Sequence, residues 1–256
     1  MKRVVVIGSG NVAEALVRAL AASPYDLVQV AARNVARGQA LAQIGGCTCT
    51  DKVASPAKAD IYLIAVSDSA IADIAATADF GGGVVAHTAG GVDLDALGTR
   101  IEHRAVLYPL QTFTAGRAID FSRIPILVEA STPIALEAIT ALAQTLSGSV
   151  RYASSELRAQ VHLAAVFACN FTNFMYTVAE NILKQSDLEF ELLKPLIEEC
   201  AAKAVASASP ATAQTGPAVR GDTATQQRHL ELLHDEQLKA MYRIISENIW
   251  KTLRKQ

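Results

Sequence analysis

Gly8, Ser9, Gly10, Asn11, Val12 and Ala13 follow a run of β-branched residues and open an alanine-rich helical stretch. Glycine at 8 permits a tight turn, and glycine at 10 lets a backbone approach a pyrophosphate. Ala13 is small enough for close packing of helix on strand. A helix N-terminus placed there offers free N–H groups and a partial positive charge to phosphate oxygens. The spacing therefore points to a dinucleotide. The end of the second strand candidate decides which one, because a carboxylate there accepts hydrogen bonds from a ribose 2′-hydroxyl. Here the chain reads Ala31-Ala32-Arg33-Asn34, with Arg37 one turn further. A guanidinium pairs bidentately with a 2′-phosphate that a carboxylate would repel. The expected cofactor is NADP (NADPH), with NAD as the alternative.

Residues just past the other strand candidates should face the same ligand, since in open α/β sheets ligands lie outside the carboxyl ends of the strands. Val66 and Ser67 follow one such strand and are expected to line the cofactor, Ser67 doubling as a helix cap. His87 ends the next, where a side chain that titrates near neutrality could carry the proton that accompanies hydride transfer. The alternative for His87 is a histidine hydrogen-bonded to its loop. Tyr108 and Gln111 flank Pro109 after the following strand and are candidate substrate contacts. Further on, Asn170 and Asn173 stand three apart on an apolar helical stretch, with His162 two turns earlier. Buried amides must be paired, so these suggest either a polar pocket or a helix–helix hydrogen bond. Finally, Thr215–Leu233 holds Arg220, Asp222 and His229. Asp222 or Thr223 can cap the helix there, and Thr223 with Gln226 fits a capping box. Capping needs neither Arg220 nor His229. Asp222, Gln226 and His229 fall on one helical face about 10 Å long, enough to line a cleft wall or to form a solvated face.

The elements that must position these residues change character part-way along the chain. Strand patterns cover 3–7, 27–32, 61–66, 84–87, 104–108, 124–129 and 149–152. Helical patterns cover 11–22 and 36–44, and Thr132-Pro133 opens another that runs to Leu146. This alternation implies right-handed crossovers and a largely parallel sheet. After Ser154 strand signals stop, and helical patterns follow at about 155–184, 188–208, 223–233 and 235–253, with a Ser/Pro/Thr/Gly-rich break at 207–221. The expected fold is α/β: an N-terminal doubly wound Rossmann NAD(P)-binding domain (1–153) followed by an all-α C-terminal domain (154–256) for substrate binding and dimerisation. Val161, Leu163, Val166, Phe167, Phe171, Phe174, Met175 and Val178 spread around most of one helix, which requires burial on most sides and so a partner subunit.

Composition fits such a chain. Of 256 residues 51% are hydrophobic, and the net charge is −2, so no basic excess advertises nucleic acid. No run of 18 apolar residues suggests a membrane span, and the apolar run after Met1 stops too early for a signal peptide. A cytoplasmic protein is expected. The four cysteines, at 47, 49, 169 and 200, lack metal-ligand spacing and read as buried or incidental thiols.

The motifs together resemble the 6-phosphogluconate dehydrogenase-like superfamily, which includes pyrroline-5-carboxylate reductases, 3-hydroxyisobutyrate dehydrogenases and prephenate dehydrogenases. The segments 87–90, 108–113 and 216–222 with His229-Leu230 are similar to the Rossmann-like family that carries a C-terminal domain of unknown function (DUF 2520). The resemblance covers essentially the whole chain. It implies a nicotinamide-dependent oxidoreductase with a helical dimerisation domain, and it names no substrate. The catalytic lysine of the hydroxyacid dehydrogenases falls at Val166 here, so that mechanism does not transfer. The expected chemistry is hydride transfer in an interdomain cleft on a small polar, anionic metabolite. His87, Asn170 and His229 are the catalytic candidates; Tyr108, Gln111, Asn173, Arg220 and Asp222 are the substrate contacts. A non-catalytic NADP-binding sensor or assembly subunit, and a flavin or deazaflavin partner for the dinucleotide, stay open as alternatives.

Overall fold

The structure, a computed structural model, describes residues 1–253. Eight strands, β1 (Arg3–Ile7), β2 (Asp26–Ala31), β3 (Thr48–Thr50), β4 (Ile61–Ile64), β5 (Val84–His87), β6 (Arg104–Pro109), β7 (Ile126–Ala130) and β8 (Val150–Tyr152), form one sheet in the order β3-β2-β1-β4-β5-β6-β7-β8. Neighbours pair in parallel except β6 and β7, which run antiparallel. Helices α1 (Asn11–Ala21), α2 (Val35–Gly45), α3 (Ile71–Thr77) and α4 (Pro133–Leu146) connect and cover the strands. The seven strands read from the sequence all form; β3 and α3 are additions.

Side chains alternate across a strand, so one β-branched run serves two cores. Val4 and Val6 pack with Leu16, Leu20, Leu41 and Ile139 of α1, α2 and α4. Val5 and Ile7 pack on the opposite face with Ile71 and Ala75 of α3. Caps set where the helices begin. The Asn34 side chain accepts from Arg37 N–H at 3.0 Å, and the Thr132 hydroxyl accepts from Ala135 N–H at 3.2 Å. Proline at the first position of α4 supplies a pre-set φ.

The chain divides into two compact units, Met1–Phe174 and Met175–Gln256. In the first unit, α5 (Ser155–Ala165) leads into a π-helical turn over Val166–Phe171. Then come α6 (Thr172–Lys184), α7 (Lys194–Ala206), α8 (Pro217–Arg220), α9 (Thr223–Leu232) and α10 (Glu236–Leu253). Asp222 caps α9 by accepting from Thr225 N–H at 3.0 Å. Of the two caps the sequence offers, Asp222 and Thr223, the aspartate is the one used. Among the described residues of the second unit, Ala218 is the single buried apolar side chain, whereas Leu192, Leu196, Leu232 and Ile244 are exposed. One helix among the described residues, Ser155–Lys184, is long and apolar enough by length and composition to cross a membrane.

Candidate active site

The site begins where β1 turns into α1. Gly8 has φ +127°, and a Cβ there would lie 2.1 Å from the Ala65 carbonyl oxygen, so only glycine fits the turn. At Gly10 an added Cβ meets nothing within 4 Å, and no side chain caps α1. The first N–H groups of that helix are thus left for an anion. Ala13 is fully buried against the sheet, the packing role its size suggests. Its neighbour Glu14 is buried too and forms ion pairs with Arg18 and Arg37, while accepting Gly116 N–H at 3.2 Å. Hydrogen bonds from Arg18, Gly116 and Arg37 outweigh burial and hold the Glu14 carboxyl below the usual range.

From this turn a cleft of about 1560 Å³, lined entirely by residues of the first unit, extends both ways along the sheet. At one end are Arg33, Asn34, Asp51 and Lys52, past β2 and β3. Gly8 to Val12, Val66 and Ser67 form the middle, past β1 and β4. At the far end stand Tyr108, Gln111, Phe113, His162, Cys169 and Asn170. From β2 to β6 is four inter-strand spacings, about 19 Å, so the two ends are far enough apart to take chemically separate parts of an extended ligand. The Asn11 side-chain amide donates to Phe113 O at 2.9 Å and ties the middle to the far end.

The far end holds a dyad. The Tyr108 hydroxyl lies 3.1 Å from His162 Nδ1, and the rings meet edge-on. Gly90 makes this possible, since a Cβ there would lie 2.6 Å from Tyr108 Cζ and 2.7 Å from His162 Nδ1. Burial, opposed by Arg158 and aided by Asp68, raises the Tyr108 pKa, so the hydroxyl keeps its proton at neutral pH.

His87 cannot carry the proton. It has no exposed surface, it does not line the cleft, and its Nδ1 accepts the Ala89 N–H at 3.2 Å. Burial first, then repulsion from the Arg158 guanidinium, pushes its pKa down to about 4. Arg158 itself is fully buried, ion-paired with Glu129 and donating to Val92 O at 2.5 Å and Ser155 Oγ at 3.1 Å. That network anchors the start of α5, the helix that carries His162. Arg37 is the second correction: its guanidinium is held by Glu14 and it is not among the lining residues.

Residues 3–89 match the model for the NADP oxidoreductase, coenzyme F420-dependent family, and residues 124–249 match the domain of unknown function DUF2520. A crystal structure from Bacteroides fragilis, assigned as an NADP oxidoreductase, is 37% identical and superposes with a TM-score of 0.89, covering 98% of each chain. The chain belongs to this DUF2520 oxidoreductase family. An imine reductase from Pseudomonas sp. shares the fold at 17% identity and TM-score 0.65, covering 99% of this chain and 92% of its own. So does a 1-pyrroline-5-carboxylate reductase from Streptococcus pyogenes, at 13% identity and TM-score 0.62, covering 100% and 99%. No curated protein matches.

The DUF2520 protein is an NAD(P)-dependent oxidoreductase with a Rossmann-like N-terminal half, and the bare α1 terminus beside Gly8 fits a dinucleotide pyrophosphate. Of the residues singled out from sequence, Gly8 to Val12, Arg33, Asn34, Val66, Ser67, Tyr108, Gln111 and Asn170 are brought together along the cleft. Asn173 is exposed and does not line it. Arg220, Asp222 and His229 belong to the second unit. There Arg220 is exposed, Asp222 is engaged as a cap, and His229 Nδ1 lies 2.8 Å from the Tyr242 hydroxyl. Hydrogen bonds from Thr225 hold the Asp222 carboxyl below its usual range. Lys52, Phe113 and Cys169 were not singled out as site residues. Lys52 depends on β3, and Cys169 on the π-helical turn.

Proposed function

We propose that the protein is an NADPH-dependent reductase of a small polar metabolite carrying a C=N or C=O bond. The observation that carries this reading is the continuous cleft from Arg33, past the bare terminus of α1, to the Tyr108–His162 pair. Arg33 is exposed on the cleft and in no ion pair among the described residues, as suits a 2′-phosphate site. NADPH, when bound, supplies the hydride. Tyr108 holds the proton that the reduced nitrogen or oxygen must gain, and His162 Nδ1 hydrogen-bonds the hydroxyl. Gln111 and Asn170 offer neutral polar contacts. Among the described residues no Lys or Arg lines that end of the cleft, so recognition of an anionic substrate needs a cation from outside that lining. The solved imine and pyrroline-5-carboxylate reductases of the same fold support the choice of imines as first substrates.

The test is calorimetric titration with NADPH and NADH, followed by a turnover screen over cyclic imines, imino acids, keto acids and hydroxy acids. NADPH binding with turnover of one class is expected. Binding without turnover would favour a sensor, and binding of neither dinucleotide would remove the reading. A second reading rests on the family model over residues 3–89: a deazaflavin exchanges hydride with NADP. Oxidation of NADPH by added deazaflavin, without imine or ketone, would favour it.

The exposed apolar residues of the second unit support a homodimer formed by a second copy of the chain.

A further inference from the structure

A 2′-phosphate carries close to two negative charges, so Arg33 alone leaves it half neutralised. Arg37, one turn on, is unavailable because it neutralises Glu14. Among the described residues, the lining of the cleft contains one other Lys or Arg, Lys52. We propose that Lys52 is the second cation of the 2′-phosphate site and sets the preference for NADPH over NADH; this rests on the NADPH reading above.

The sheet sets Lys52 and Arg33 at neighbouring strand ends. β3 pairs in parallel with β2, with Thr50 opposite Ala31, and Ala32 N–H donates to Thr50 O at 2.9 Å. Both chains therefore leave the sheet side by side, Arg33 two residues past its register position and Lys52 two past its own. The Thr50 hydroxyl accepts Lys52 N–H at 3.1 Å, and Val53 N–H donates to Asp51 O at 2.9 Å. These bonds fix the turn from which Lys52 projects. Its side chain is exposed and in no ion pair among the described residues. Asp51 is the one carboxylate nearby on the lining before Asp73. An ammonium on a flexible stem suits a phosphate as a point charge, beside the fork of Arg33.

The experiment titrates the full chain and its Lys52→Ala and Lys52→Arg variants with NADPH and NADH. Adenosine 2′,5′-bisphosphate and 5′-AMP serve as competing probes, and thermal melts check the fold. Lys52→Ala is expected to weaken NADPH and the bisphosphate about tenfold, the scale of one charge-assisted hydrogen bond, and NADH and 5′-AMP less than about twofold. Lys52→Arg should stay within about threefold of the parent on every probe. Equal losses on both dinucleotides, or no loss on either, would overturn the role of Lys52 while leaving NADPH dependence intact. A parent chain that binds NADH as tightly as NADPH would overturn the NADPH reading and this proposal with it. That result appears before any variant is made, so the two failures are distinguishable. An NADH preference would reassign the turn to Asp51 and the ribose hydroxyls.

Discussion

Two histidines in the first unit face opposite fates, and the difference is testable side by side. His162 lines the cleft against the Tyr108 hydroxyl, whereas His87 is sealed inside. Tyr108→Phe removes the proton and the hydrogen bond while keeping the ring. It is expected to lower kcat about 100-fold on whichever substrate the screen yields, with NADPH affinity unchanged by titration. A matching loss of NADPH affinity would mean that the hydroxyl positions the cofactor instead. His87 should show itself in stability. Its folded pKa of about 4 lies below the ordinary 6.5. The unfolded chain therefore takes up a proton near pH 6.5 that the folded chain refuses until about pH 4. Stability from this group is complete above pH 6.5 and falls as pH drops towards 4, by up to about 3 kcal/mol. Denaturant unfolding at pH 7.5 and pH 5 should show about 2 kcal/mol of that loss, and His87→Asn should remove most of the difference. If the difference persists in the variant, other groups cause it.

At the scale of elements, the loop after β5 and the face of α5 meet at one residue, Gly90. Gly90→Ala drives a methyl into both Tyr108 and His162 and must separate them. Misplacing a reacting group by about 1 Å can cost on the order of 100-fold in rate, so kcat should fall at least tenfold while NADPH binding, some strands away, is retained. Steady-state kinetics with a parallel NADPH titration reads both. The strands, the Gly8 turn and much of the cleft lining were legible in the sequence because they depend on local pattern: β-branched runs, a glycine spacing and an Arg at a strand end. What was not legible depends on pairing between distant segments. β3 is three residues long and carries no periodicity, so nothing in the sequence marks Lys52 as standing at a strand end. The lowered pKa of His87 comes from burial and then from Arg158, 71 residues away along the chain, so it takes shape only once the sheet and α5 are in place. Arg37 was misjudged for the same reason, because the sequence does not show that Glu14 points back at it. The π-helical turn shifts the register of Cys169 and Asn170 in a way that a 3.6-residue period cannot show.

Across the whole molecule, the first unit has two well-filled cores, one on each face of its sheet, and the second has almost none of its own. A helical unit of this size with one buried apolar side chain has too little covered surface to offset the entropy of ordering it. Leu192 and Leu196 are each 65% exposed in the single chain. If the chain acts alone, Leu192→Glu with Leu196→Glu changes two solvated positions and should move stability by no more than about 0.5 kcal/mol each. If a second copy covers them, the same pair places charge in an apolar interface. The parent should then run as a dimer in light scattering across a wide concentration range, with a melting temperature that rises with concentration. The double variant should dissociate, melt several degrees lower and lose its concentration dependence. A monomeric parent, or a double variant that behaves as the parent does, would refute the dimer and leave the exposed leucines to a different partner.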